Sequence, residues 1–175
     1  HCGMPKPIDP GNLYGYDYDY INADVITSAL GTENSRLVLP HGQSYSVMLL
    51  PEREDISLEV LKSLEKLVYS GAVVIGKRPE RTTSLKNYPD CDAAVKTIAK
   101  KLWGDCDGKK VLSNRYGKGT VYWGKSVKEV LEELDIPPDF EVKGMDNCDD
   151  RIDYIHRQTE TEDIYFVSNS SMKEE

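Results

Sequence analysis

The run from Ser44 to Gly76, SYSVMLLPEREDISLEVLKSLEKLVYSGAVVIG, limits what this chain can fold into more than any other stretch. SYSVMLLP (44–51) ends in a continuous apolar run of the kind a strand shows when both its faces are covered. DISLEVLKSLEKLVYSG follows, with Leu58, Leu61, Leu64, Leu67 and Val68 on one stripe, Asp55 or Ser57 as cap and Gly71 as stop. AVVIG (72–76) is a second short apolar strand directly after that glycine. Strand, helix and strand in this order form a parallel crossover, so the fold class is α/β.

The flanking segments extend the pattern. NADVITSAL holds Ala23, Ile26, Ala29 and Leu30 on one helical face, with Asp19 or Asn22 as N-cap and Gly31 as stop. RLVLP (36–40) pairs with the run at 44–51 as a hairpin through His41, Gly42 and Gln43. A helix is expected at about 90–103, then a hairpin in KKVLSNRYGKGTVYWG turning at Gly117 and Gly119, then a helix over 126–135 closed by Pro137 and Pro138. After Phe140 two segments rich in Ile, Tyr, Phe and Val flank QTETED, an antiparallel hairpin that opens a different, all-β module. Residues 1–14, with three prolines and two glycines, read as a linker, and MKEE at the end reads as disordered. A doubly wound sheet expects a strand before the helix at 22–30, and 1–14 offers none. That first strand is missing or lies upstream in a longer parent, which suits a chain opening at His1.

Charge and composition exclude partners before they suggest any. The net charge of −8, with acid and base interspersed, argues against nucleic acid or an anionic membrane as partner. No apolar run approaches the roughly 20 residues of a membrane span, and no secretory signal opens the chain. Cys2, Cys91, Cys106 and Cys148 form no C-x-x-C pair, and His1, His41 and His156 are equally scattered, so no zinc spacing exists. Asp146, Asp149, Asp150 and Asp153 cluster in GMDNCDDRID without the central glycine and late glutamate of a calcium loop, and read as a solvated acidic loop.

Ligands of an open α/β sheet bind beyond the carboxyl ends of its strands, so the loops to search are 15–22, 51–57 and 76–90. An amidotransferase-like or hydrolase-like enzyme carries Cys or Ser on a sharp elbow after such a strand. After residues 72–75 this chain has Gly76, Lys77, Arg78 and Pro79, with no nucleophile. Neither His41 nor His156 is tied by spacing to Cys91 or Cys106. The G-x-G of YGKGTVYWG joins strand to strand and so offers no helix N-terminus to a phosphate. No catalytic residue, metal ligand or cofactor is expected. Lys77, Arg78 and Arg81 form a basic cluster that either holds an anionic group or pairs with acids such as Glu80 or Asp90. In GYDYDYINADVI, an extended segment sets Tyr14, Tyr16, Tyr18 and Tyr20 on one face and Asp17 and Asp19 on the other. The alternatives are packing against a neighbouring domain, or direct contact of Asp17, Tyr18, Asp19 or Tyr20 with a sugar.

GYDYDYINADVI, RLVLPHGQSYSVMLLPE, GAVVIGKRPERTTSL, GKGTVYWG, LDIPPDF and IDYIHRQTETEDIYFVSN occur in this order. Together they resemble the middle region of the large bacterial α-L-rhamnosidases of glycoside hydrolase family 106. In that family a catalytic barrel precedes a flavodoxin-like, class I glutamine-amidotransferase-like three-layer domain, and β-sandwich modules follow. The resemblance implies that 15–137 is this accessory domain, that 138–175 begins a sandwich, and that the partners are the barrel and sandwich of the parent. It also implies rhamnose-containing plant glycans as the parent's substrates and the bacterial periplasm or cell exterior as its place. Catalytic carboxylates and calcium belong to the barrel, so none is carried over. A carbohydrate-binding module, suggested by the eleven tyrosines, and a degenerate amidotransferase-like domain are the alternatives.

Overall fold

The structure, a computed structural model, describes residues 13, 15–84, 87–141, 152–159 and 161–169. They group into two compact units, 18–136 and 15–17 with the residues after 136. The proposed linker before Leu13, the acidic loop with Asp146, Asp149 and Asp150, the side chain of Asp153, and the C-terminal MKEE lie outside the described residues.

The first unit begins with the short helix α1 (Ala23–Ser28), capped by Asn22, whose Oδ1 accepts from the Val25 amide at 2.9 Å. Asp19 is not the cap: Asn22 holds that position, and the Asp19 carboxylate accepts a tyrosine hydroxyl from another element. Gly31 is not the stop either: Ala29 ends the helix, and Gly31 opens β1 (Gly31–Glu33). β1 pairs with β2 (Arg36–Val38), which pairs with β3 (Ser44–Tyr45), all antiparallel.

The expected single strand over 44–51 is broken. Ser46 bends the chain between β3 and β4 (Val47–Leu49), and β4 enters a different sheet. The Arg36 guanidinium holds this corner, donating to Ser44 Oγ at 3.0 Å, Ser46 Oγ at 2.9 Å and the Ser44 carbonyl at 3.3 Å. Two polar serines before the apolar run thus mark where the hairpin stops and the core begins.

β5 (Asp55–Ile56) precedes α2 (Leu58–Ser70), which Ser57 caps by accepting from the Val60 amide at 3.2 Å. The expected stripe is buried from Leu61 to Val68, with Leu61 and Val68 fully so and Leu64 nearly so, while Leu58 is only partly buried and Val60 joins the core instead. Each such side chain stabilises the fold by about 1.5–3 kcal/mol. Gly71 takes φ 128° at the helix end, a conformation that favours glycine, and the chain turns straight into β6 (Val73–Ile75). β7 (Arg81–Thr82) makes a parallel pair with β5, which sequence periodicity does not foresee. Then follow α3 (Asp90–Trp103), β8 (Ser113–Tyr116), β9 (Gly119–Tyr122) and α4 (Val127–Glu133). Ser126 and Glu129 cap α4 reciprocally.

The central sheet has the order β4-β6-β9-β8, parallel except for β8. On one face Val74 and Val121 join the main core with Leu61, Leu64, Val95, Leu102 and Trp103 from α2 and α3. Val73, Ile75 and Tyr122 are buried outside that cluster, and the Tyr122 hydroxyl donates to Glu133 of α4 at 3.0 Å. α2 and α3 thus pack on one face, and α4 is tied to β9 through Tyr122. Gly119 lets β9 meet the α2 end, since a Cβ there would stand 2.3 Å from the carbonyls of Val68 and Ala72. Trp103 is fully buried, and its indole N–H donates to the Gly76 carbonyl at 2.9 Å. That bond ties the end of α3 to the loop leaving β6.

In the second unit β10 (Ile152–Gln158) and β11 (Asp163–Asn169) form the expected antiparallel hairpin, closed by Thr159 and Glu162. Phe140 stacks on Tyr154 with ring centroids 4.7 Å apart. The alternate face carries Ile155 and Phe166, which are 53% and 63% exposed.

Candidate functional site at the carboxyl edge of the parallel strands

β4 and β6 both end at the same edge, and the loops leaving them enclose a cleft of about 240 Å³. Met48, Leu50, Ile26 and Val60 give it an apolar floor; Asp19, Tyr20, Arg53, Asp55 and Lys77 give it a polar rim. The floor exists because the apolar run 47–50 continues past the last strand residue before Pro51 turns it. Leu50 still donates its amide to the Ile75 carbonyl at 2.8 Å, and its side chain presses on Gly76, where a Cβ would stand 2.7 Å away.

Ion pairs hold the rim. Arg53 donates through Nε and a terminal nitrogen to both oxygens of Asp55, each at 2.8 Å, and this guanidinium holds the Asp55 carboxyl below its usual range. Lys77 donates to Glu54 at 2.6 Å, lowering the Glu54 pKa and raising its own. Asp19 accepts the Tyr45 hydroxyl at 2.6 Å. That hydrogen bond, with burial and the negative charge, pushes the Tyr45 pKa up to about 12, so the phenol stays protonated. Tyr18 and Tyr20 meet edge to face with centroids 5.8 Å apart, and both rings stand open to solvent.

Of the residues singled out in the sequence, the fold brings Asp19, Tyr20 and Lys77 to this one cleft. Tyr18 reaches it through its ring contact with Tyr20. Asp17 is exposed and belongs to the second unit. Arg78 turns the other way, its guanidinium carbon 6.0 Å from the Trp123 ring centre beside a separate groove with Lys96, Lys100 and Cys106. Lys77 and Arg78 thus do not act together, because neighbours in an extended loop project in opposite directions. Lys77 does not pair with Glu80 or Asp90, since Glu54 is brought to it across the paired strands β5 and β7.

Cys91 and Cys106 are buried free thiols. Cys91 faces the Ser84 carbonyl at 3.7 Å, and burial raises the Cys106 pKa. Asp107 beside it accepts from the amides of Lys109, Lys110 and Val111, a turn-forming role. His156 lies in β10, its ring between Asp139 and Asp163 at 2.9 and 3.0 Å. No group of three metal-ligating side chains occurs among the described residues, and no helix there is long and apolar enough to cross a membrane. Sequence reading missed Arg53 and Asp55 as rim residues, Glu54 as the partner of Lys77 and Tyr45 as the partner of Asp19. The PERED run inside the 51–57 loop was the available signal for the first three. Nothing local announces Tyr45, 26 positions from Asp19.

Comparison with known proteins supplies the family. The family model described as alpha-L-rhamnosidase, glycoside hydrolase family 106, matches residues 6–175. A protein from Formosa agariphila described as a putative beta-glucuronidase is 36% identical over 156 residues, which are 89% of this chain and 12% of that one. The solved structure of a rhamnosidase from Novosphingobium sp. PP1Y superposes with a TM-score of 0.80 at 29% identity, covering 93% of this chain and 15% of that one. The chain therefore spans less than a sixth of either relative. On the match along nearly its whole length, the chain belongs to the α-L-rhamnosidase family of glycoside hydrolases, family 106.

Proposed function

We propose that this chain is a non-catalytic accessory domain of an α-L-rhamnosidase that removes rhamnose from rhamnose-containing glycans. Residues 15–137 form its flavodoxin-like, amidotransferase-like three-layer unit, and 138–175 start a β-sandwich module. The catalytic barrel and the remaining sandwich of the longer protein are its partners. One observation carries this reading: the elbow after β6. An amidotransferase places its nucleophile there, and here Gly76, Lys77, Arg78 and Pro79 follow Ile75, with Lys77 occupied by Glu54 and Arg78 set over Trp123. Both described thiols are buried, and burial raises the pKa of Cys106, the reverse of an activated nucleophile. A mostly parallel sheet with α2 and α3 packed on one face and α4 tied to β9 through Tyr122 supports the three-layer assignment. The uncovered apolar face of the β10–β11 hairpin supports its continuation into a larger sheet, since an isolated two-stranded hairpin is marginal in water.

The 175-residue chain is expected to show no turnover of an aryl α-L-rhamnoside. Clear, enzyme-proportional hydrolysis by the purified chain would overturn the accessory assignment. Alkylation of native protein should leave Cys91 and Cys106 unmodified on the timescale that modifies an exposed thiol.

A further inference from the structure

We infer that the cleft at the carboxyl ends of β4 and β6 is a binding subsite for one neutral deoxy-sugar ring. The inference rests on reading the chain as part of a glycosidase that acts on rhamnose-containing glycans.

Three observations select this ligand. The first is size: at about 240 Å³ the cleft falls below the roughly 300–1,000 Å³ of sites for drug-sized ligands and suits a single ring. The second is charge. The charges lining the cleft balance, Arg53 and Lys77 against Asp55 and Asp19, with Glu54 holding Lys77 from outside the lining. A charged ligand of either sign therefore meets no net opposite charge there, whereas a polyol meets acceptors. Asp19 takes one described hydrogen bond, at Oδ2 from Tyr45, and an ionised carboxylate has about four acceptor positions. Sugar hydroxyls can therefore donate to it without displacing Tyr45. The third is the division of surfaces. Met48, Leu50 and Ile26 line an apolar floor that suits a methyl group, while Tyr20, 63% exposed, stands at the rim where a ring face can lie against it. A 6-deoxy sugar such as L-rhamnose offers this combination, with a methyl at one end and hydroxyls around the ring.

The geometry also separates the basic pair seen in the sequence. Lys77 is a rim residue, and Arg78, directed to Trp123, is not.

The test is an NMR titration of the 175-residue chain with L-rhamnose, L-mannose, D-glucuronate and tetramethylammonium. Expected is saturable binding of L-rhamnose, with L-mannose weaker by roughly fourfold or more, the value of one methylene-sized apolar burial. Glucuronate is expected to bind more weakly still. Tyr20→Ala should weaken rhamnose binding about fivefold or more through loss of ring contact. Asp19→Asn, which keeps an acceptor for Tyr45, should weaken it roughly tenfold. Arg78→Ala should leave it unchanged. Absence of saturable rhamnose binding overturns the inference, as do equal or tighter binding of glucuronate or the organic cation, and indifference to both Tyr20→Ala and Asp19→Asn. These results are distinct from failure of the accessory reading, which turnover by the chain alone would overturn whatever the cleft binds.

Discussion

The two units stabilise themselves by different means. In 18–136, Trp103, Leu61, Val68, Val95, Leu102, Val121 and Val130 have essentially no exposed surface, and α2 and α3 pack on the central sheet while α4 is tied to β9 through Tyr122. In the second unit every residue of β11 is exposed, and the hairpin is held by rings and charges instead. Phe140 stacks on Tyr154, His156 lies parallel to Tyr165 at 4.2 Å, and Asp139 joins both the Tyr165 hydroxyl and the His156 ring. Apolar burial is indifferent to pH, whereas a clamp on an imidazole is not. The first unit should therefore melt as a cooperative core, and the second should loosen with proton loss.

The comparison is broken most severely by emptying the first core. Trp103→Ala removes a fully buried ring and leaves the Gly76 carbonyl without its donor, and should destabilise the first unit by about 3–5 kcal/mol. Urea unfolding by circular dichroism measures it, and the hairpin amides of 152–158 should keep their hydrogen-exchange rates. If they accelerate in step, the units do not stabilise themselves independently. Ser126→Ala strips one half of the α4 capping box and should cost about 1 kcal/mol in the same experiment.

A subtler probe is pH. Both ring nitrogens of His156 face carboxylates, and a neutral imidazole has only one N–H, so the doubly protonated ring fits the site. Asp163 foremost, and then Asp139, raise its pKa above the usual value. The native hairpin then holds a proton that the unfolded chain, with a pKa of about 6.5, has begun to release. Its contribution is complete below pH of about 6.5 and is lost as pH rises through the elevated native value. Exchange protection in 152–158 should fall across that window in the parent chain and stay flat in His156→Gln. Least of all, Phe166→Ser should change the chain's stability by less than about 0.5 kcal/mol, because the ring is already 63% exposed. A larger loss would mean that the exposed face is covered within this chain.

Much of the first unit was legible in the order of residues. Helix stripes repeat within a few turns, caps are local, and the bounds of α2 and α3 follow from Ser57, Gly71 and the periodicity around Val95 and Ile98. The break at Ser46 was not legible, since it depends on Arg36 reaching across the hairpin. The site divides in the same way. Its loops were marked by their place after apolar strands, and Asp19, Tyr20 and Lys77 were among the residues singled out. Which of them meet, and with what partners, required the fold.

By itself the sequence determined the α/β class, the strand–helix–strand unit, the C-terminal hairpin and the family, because these rest on local periodicity and on ordered blocks of residues. Only the tertiary structure decided that Lys77 answers Glu54, that Asp19 holds Tyr45 instead of capping a helix, and that Arg78 leaves the cleft for Trp123. The reason is physical. An ion pair or hydrogen bond acts within about 3 Å, and two groups far apart in the chain come that close only after burial of the apolar core has fixed where the loops emerge.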